Sequence, residues 1–335
     1  WLKRRNKNLL VFSPILFPPR YYIGRKINNF LRLKGILLLA KLLKFSQPIL
    51  WIYHPDAVYF TGKIREDLIV YDCVDEYSTF PAYANPIRKQ EIIANEKKLL
   101  GLADIVFTTS RPLFEVKRQF NPHTHLVQNV GDAEHFGKAL LEETEVPEEM
   151  KSLARPIVGF IGALDSYKID FGLIEFVATN KPDWSVVLIG PVGEGDHTTT
   201  VDKLKEMGNV YFLGIKPYQL LPNYIKGFDV CMLPYNINEY TKYCFPLKIY
   251  EFLATGKPVI VTDLPSFKDL ANVLRIAKDY QQFLEFLTEV ISDKDSNSLK
   301  KRLEVAEKNS WDQRVRQLLE IIKEHIFPSP LGGED

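Results

Sequence analysis

Short apolar runs, separated by polar stretches that carry Gly, Pro or Asn, recur along most of the chain. They fall at 49–53, 68–72, 105–109 and 126–130, and again at 156–164, 184–189, 209–214, 228–235 and 259–261. Their length and β-branched content predict buried strands. The segment 86–102 between two of them reads as a helix, and strands alternating with helices predict an α/β protein with mostly parallel sheets. Leu9 to Phe12 predicts one more short strand, closed by a turn through Pro14, Pro18 and Pro19. Residues 21–45 predict one or two basic helices, 137–155 a charged linker, and Ser310 to Val315 the start of a last amphipathic helix. The tail 328–335 is expected to be disordered.

The stretch from Tyr243 to Asp263 joins a helix to a buried strand. Pro246 suits the first helical position and Gly256 the end; Pro258 cannot continue the helix. Two features of this helix start are unusual. Cys244 and Phe245 stand where Ser, Thr, Asp or Asn would cap the first N–H groups. Lys248 sits in the first turn, where the helix dipole disfavours a cation. Uncapped N–H groups beside a lysine make an anion site, and phosphate is its usual guest. Lys248, Glu251 and Thr255 share one face, so Glu251 would lie one turn past a bound phosphate, where a carboxylate can hold ribose hydroxyls. The alternative is a surface Lys–Glu pair worth about 0.2–0.5 kcal/mol.

A second candidate is Tyr71-Asp72-Cys73-Val74-Asp75-Glu76-Tyr77, at the end of a predicted strand, where ligands of parallel sheets gather. Three carboxylates there pack poorly but offer chemistry. Asp72, Asp75 or Glu76 could act as a base on an acceptor hydroxyl or orient a reacting sugar. Helix capping by Asp72 or Asp75 is the structural alternative. The spacing is not an Asp-x-Asp pair, and no catalytic metal is expected. Gly162 follows a strand, and its missing Cβ would let a phosphate approach the backbone. His123 and His125 read as surface residues.

Composition changes this picture little and charge changes it more. The 335 residues are 46% hydrophobic and 25% charged, as in a globular protein with room for two domains. Cys73, Cys231 and Cys244 have no metal-type spacing and lie in or beside apolar segments, which suggests reduced thiols and an intracellular, cytoplasmic setting. No apolar run reaches transmembrane length. The net charge is only +1, but 11 of the 43 basic residues precede Asp56, the first acidic one. Such asymmetry points to a basic surface that meets something anionic. Leu, Phe and Tyr among Arg and Lys over residues 20–45 fit a helix lying on an anionic membrane surface. An ordinary surface helix and an RNA-binding surface are the alternatives. No RNP, KH or zinc-finger pattern supports RNA, and no nucleic-acid partner is expected.

Phe245-Pro246-Leu247-Lys248, with Glu251-Phe252-Leu253-Ala254-Thr255-Gly256-Lys257-Pro258-Val259, resembles the donor-binding helix of GT-B glycosyltransferases (group 1, family 4-like), which use nucleotide-sugars. Asn129 to Phe136 resembles the family's interdomain segment, and the stretch around Asp72 resembles its N-terminal domain, where a functional group follows the corresponding strand. Ile215-Lys216-Pro217-Tyr218, after Gly214, resembles the loop that receives the nucleotide base. Asn236 to Lys242 corresponds to the loop over the donor sugar, with Glu239 its one carboxylate. The resemblance thus implies donor-binding roles for Gly162, Lys168, Gly214, Lys216, Tyr218, Glu239, Tyr243, Pro246, Leu247, Lys248 and Glu251. Two positions depart from the pattern: the family's second Glu, eight residues before Glu251, is Tyr243 here, and its Arg after Gly162 is Ala163.

The fold so implied is GT-B, two Rossmann-like domains with parallel sheets facing across a cleft. Residues 1–150 would form the N-terminal, acceptor-side domain and 151–310 the nucleotide-sugar domain, with a helix at 311–326 returning to brace the first. Family members usually open with a strand, a glycine-containing loop, a helix and a strand. Nothing before Leu9 supplies these, so the first domain is expected to be incomplete. The implied reaction moves a sugar from a nucleoside-diphosphate sugar, a substrate rather than a cofactor, to a saccharide or lipid-linked acceptor. The expected setting is cell-envelope polysaccharide synthesis, peripheral on the inner membrane face. Sugar-nucleotide 2-epimerases share the architecture, but their acid–base carboxylates and histidines cannot be matched here. A degenerate GT-B binding protein is the non-enzyme alternative: Tyr243 and Ala163 favour it, Lys248 and Glu251 oppose it.

Overall fold

The computed structural model describes residues 2–17, 22–292 and 296–327; the turn expected at Pro18 and Pro19 and the 328–335 tail lie outside them. The chain opens with an antiparallel hairpin, β1 (Leu2–Asn6) and β2 (Leu9–Phe12). Only β2 is legible in the sequence, because β1 is exposed throughout and carries Lys3, Arg4 and Arg5 in place of an apolar alternation. One 21-residue helix follows, α1 (Tyr22–Leu42). Phe12 of the hairpin packs on it at Gly35, where a Cβ would stand 2.4 Å from the Phe12 ring.

The first sheet is parallel and runs in sequence order: β3 (Ile49–Ile52), β4 (Leu68–Cys73), β5 (Ile105–Thr108) and β6 (Thr124–Leu126). Helix α2 (Pro86–Leu102) lies between β4 and β5, and α3 (Arg111–Lys117) between β5 and β6. β6 sits earlier than the expected 126–130. The Val127 N–H still reaches Thr108, but Asn129 and Gly131 bond to Phe245 and Asn309 instead, so the ladder ends and the chain turns toward its second half.

That half contains α4 (Ala133–Gly137), α5 (Glu148–Lys151), β7 (Ile157–Ile161), α6 (Phe171–Asn180), β8 (Ser185–Ile189), α7 (Asp202–Lys205), β9 (Val210–Gly214), α8 (Leu221–Lys226), β10 (Val230–Leu233), α9 (Lys248–Ala254), β11 (Val259–Thr262), β12 (Arg275–Ala277), α10 (Tyr280–Ser292) and α11 (Ser296–Lys308). Its six strands form one parallel sheet in the order β9-β8-β7-β10-β11-β12. The order reverses between β7 and β10, and it is at the carboxyl ends of strands beside such a switch point that these sheets form the crevice that binds ligands. Residues 137–155 are a packed segment rather than a free linker. Ala139 and Met150 are buried, and Asn223 donates to the Glu145 carbonyl. The apolar residues scattered among the charges of this segment are the ones that bury.

The final helix, α12 (Trp311–Ile326), returns to the first sheet, where Leu318, Ile321 and Ile322 pack with Val70, Phe107 and Val127. Arg314, itself buried, donates to the carbonyls of Val127 (3.2 Å) and Gln128 (2.7 Å). Close packing of the strand ends explains the glycine that follows β8. A Cβ on Gly190 would sit 2.0 Å from the Gly162 carbonyl oxygen, at a φ of +142°. Gly190→Ala should therefore cost about 3 kcal/mol or more in chemical denaturation, through strain plus displacement of neighbouring backbone. Among the described residues, no helix is long and apolar enough to cross a membrane.

Candidate active site

Helix α9 starts at Lys248, two residues later than expected. The Ile249 and Tyr250 N–H groups bond three residues back, to Pro246 and Leu247, which tightens the first turn. No side chain caps this end. Pro246 is buried ahead of it and Leu247 is exposed. The Lys248 ammonium lies 2.6 Å from a Glu251 carboxylate oxygen. Glu251 is only 5% exposed. Burial pushes its carboxyl up from the ordinary range, and Lys248 pulls it back.

The chain entering the second half passes directly over α9. A Cβ on Gly131 would stand 2.8 Å from the Glu251 nitrogen, so only glycine allows this approach. The contact delivers Asp132 and His135 to Glu251. Asp132 caps α4 by accepting from the His135 N–H, 3.0 Å, and its other oxygen accepts from the Tyr218 hydroxyl, 3.2 Å. The Tyr218 ring stacks on His135 with centroids 4.3 Å apart. Tyr218, Lys248 and Glu251 are thus brought together. Asp132 and His135 join them unanticipated; their signal was the capping pattern Asp-x-x-His beside a glycine.

At the crevice, the Gly162 N–H donates to Ile189 and the Gly190 N–H to Gly214, so the ends of β7, β8 and β9 are tied edge to edge. The loop after β7 is fastened to the loop after β10. Asn236 Nδ2 donates to the carbonyls of Ser166 (2.8 Å) and Ile169 (3.0 Å), and Asn238 Nδ2 to that of Tyr167 (2.8 Å). Glu239 is exposed on the loop after β10. Lys168, on the inner loop, faces Asp75 across the cleft. Burial pushes the Asp75 carboxyl up to about 6, while Lys168 and the Cys244 thiol pull it down. The thiol sulfur is 3.9 Å from Asp75 Oδ1. Aromatic rings continue this junction: Tyr77 stacks on Phe80, Phe80 meets Tyr240 edge-on at 5.0 Å, and Tyr240 meets Tyr167 at 4.9 Å. No sequence pattern places Tyr240 against Phe80.

Four expected site residues turn elsewhere. Asp72 lies on the opposite side of β4 from the cleft, 3.6 Å from Arg314 of α12. Alternation along β4 puts it on the face opposite Tyr71 and Cys73, which are buried in the core against α2. Glu76 accepts from the buried Lys117 ammonium at 2.6 Å. Lys216 is held by Glu149 of the packed segment at 2.7 Å. The Tyr243 ring packs on the first half's core, and its carbonyl accepts from Ser110 Oγ at 2.7 Å. It joins the two halves beside the helix start.

The comparisons agree with this architecture. Residues 155–293 match the family model for glycosyl transferases group 1. A Bacillus subtilis (strain 168) protein named "Putative teichuronic acid biosynthesis glycosyltransferase TuaH" is 27% identical over 319 residues, covering 89% of this chain and 79% of that protein. Anabaena HepE, solved in complex with UDP, superposes with a TM-score of 0.69 at 16% identity, over 87% of this chain and 82% of its own. Sucrose-phosphate synthase from Thermosynechococcus elongatus gives the same TM-score, 0.69, at 16% identity over 97% and 85%. These matches, with two parallel sheets facing across a cleft, show the GT-B fold for the chain, and its residues 155–293 match the group 1 glycosyl transferase model.

Proposed function

We propose that the protein transfers a sugar from a nucleoside-diphosphate sugar to a saccharide or lipid-linked acceptor of cell-envelope polysaccharide. The observation that carries this reading is the convergence of a buried carboxylate, a cation and a stacked aromatic at the crevice of the second sheet. Lys248 and the uncapped start of α9 would neutralise the diphosphate leaving group. Glu251 would hold ribose hydroxyls, and Tyr218, with one face on His135, offers a surface to the base. Gly162 would admit the phosphates, with Lys168, whose charge acts on Asp75, beside them. Asp75 would act on the acceptor hydroxyl, the aromatic rings around it receiving the acceptor sugar. HepE in complex with UDP and the teichuronic acid name of the Bacillus relative support the donor class and the setting.

UDP should raise the melting temperature by mass action. Glu251→Gln should weaken UDP binding by about 1–2 kcal/mol, because its ribose bonds become neutral, while the helix survives. Unchanged affinity with reduced stability would make Glu251 purely structural.

Helix α1 supports docking on a membrane's cytoplasmic face. Ile27, Phe30, Leu31, Leu38 and Leu42 are exposed at helical spacing, and Lys34 and Lys41 stand among them. Cations at such a surface contribute about 1 kcal/mol each, screened over about 8–10 Å. Replacing Lys34, Lys41 and Lys44 with Gln should release the protein from anionic vesicles and leave UDP binding intact. Equal sedimentation with neutral and anionic vesicles would remove the membrane from this reading.

A further inference from the structure

Between α1 and α2 lies a cavity of about 650 Å³ that belongs to neither the donor crevice nor the membrane-facing stripe of α1. Five cations line it, Arg25, Lys26, Arg32, Arg88 and Lys98, against two carboxylates, Asp56 and Glu91. Both carboxylates are already satisfied. Glu91 takes a two-pronged contact from Arg25 (2.9 and 3.2 Å) and another from Arg88 (2.8 Å). Asp56 accepts from Arg88 and, at 2.8 Å, from Asn95. Neither Arg32 nor Lys98 has a carboxylate partner among the described residues. Lys63 adds a further cation: its ammonium lies over the ring of Tyr59, another lining residue, and its pKa is lowered by burial and by Lys98. Arg32, Lys98 and Lys63 thus add positive charge beyond what the two carboxylates balance; like charges gathered in this way are costly, and an anion removes that cost.

The cavity is wired to the cleft. Arg88 lies over the Tyr83 ring, the Tyr83 hydroxyl is 2.6 Å from His54 Nε2, and His54 meets Tyr77 edge-on at 4.8 Å. Tyr77 is two residues from Asp75. We propose that this cavity binds a phosphate group carried by the acceptor, leaving the acceptor's sugar against Tyr77 and Phe80 near Asp75. The inference rests on the reading of Asp75 as the acceptor-side group. It adds the substrate class: an acceptor bearing a phosphate or diphosphate, either as a free sugar phosphate or as a lipid head group.

The test is calorimetric titration with inorganic pyrophosphate in the presence of saturating UDP, which occupies the donor site. The wild type should bind pyrophosphate, and Arg32→Gln/Lys98→Gln should weaken that binding at least tenfold without altering UDP affinity. Lys98 is exposed, so Lys98→Gln alone provides a variant whose folding is secure and should give a smaller loss in the same direction. Sedimentation with phosphatidylglycerol vesicles separates the sources. Competition by pyrophosphate supports a lipid head group in the cavity; pyrophosphate binding without competition supports a free phosphate ligand. Pyrophosphate affinity unchanged by the two substitutions, or no binding by the wild type, overturns the proposal. Failure of UDP to bind would tell against the donor site instead, and the comparison between wild type and variants would still decide the cavity.

Discussion

Asp75→Asn should abolish most transfer activity, by about 10²–10⁴-fold, while leaving UDP affinity intact. The amide keeps the shape of the carboxylate but cannot accept a proton from an acceptor hydroxyl. The wild-type rate should rise with pH through an apparent pKa near 6, the value to which burial pushes this carboxyl against the pull of Lys168 and Cys244. The variant should lose that limb. Stability should move the opposite way. A carboxyl whose folded pKa lies above its unfolded one holds its proton longer in the native state. Native stability therefore falls as pH rises from about 4 to about 6, and the penalty is full above that window. Asp75→Asn, which carries no such penalty, should be more stable than the wild type at pH 7. A variant that keeps more than a tenth of the activity, or that is less stable at pH 7, would remove Asp75 from the reaction.

Lys117→Met should be the most destabilising single change in the first half. Lys117 is 3% exposed and lies 2.6 Å from Glu76 and 2.7 Å from Glu96. Burial opposes its charge, yet Cys73, Glu96 and Glu76 hold its pKa above the ordinary lysine value. Removing the ammonium leaves two carboxylates facing each other in a desolvated space, with the Tyr71 hydroxyl donating to one of them at 2.7 Å. Breaking such a buried pair costs about 3–5 kcal/mol, measurable by urea denaturation. Adding Glu96→Gln should restore part of the loss. Because Glu76 begins the segment that carries Tyr77 and Phe80, the single variant should also raise the acceptor KM under conditions where it remains folded. A loss below about 1 kcal/mol would show that the carboxylates find other partners or protonate at little cost.

The parts legible in the sequence are those governed by near neighbours. The helix between Pro86 and Leu102 carries its own start signal, Asn85 capping two N–H groups ahead of a proline. The Lys248–Glu251 pair follows from one helical turn. Apolar runs disclosed β7, β8, β10 and β11 because each is buried on both faces, whereas the three-residue β12, opening on the exposed Arg275, carried no such run. What stayed hidden depends on partners far along the chain. Glu76 looked free until Lys117, 41 residues on, reached it. The partner of Lys216 is Glu149, 67 residues back. Asp72 and Asp75 stand three positions apart, but Asp72 lies on β4, beside Arg314 of α12, whereas Asp75 lies past the strand's end, where the chain bends toward the cleft.

Two stretches of backbone connect the halves, and they run side by side: the Gly131 N–H bonds to the Asn309 carbonyl, and Gly131 pairs with Ser310. Mechanically, this is a single strip of hinge rather than two separate pins. Any opening of the cleft has to be a rotation about that strip, with sliding resisted by Arg314 gripping the carbonyls just before it. The last helix is therefore part of the hinge itself. A chain cut at residue 310 would lose the clasp on one leaf, leaving the Val127 and Gln128 carbonyls without the guanidinium and Asp72 without its cation, and the two leaves would no longer share a fixed axis.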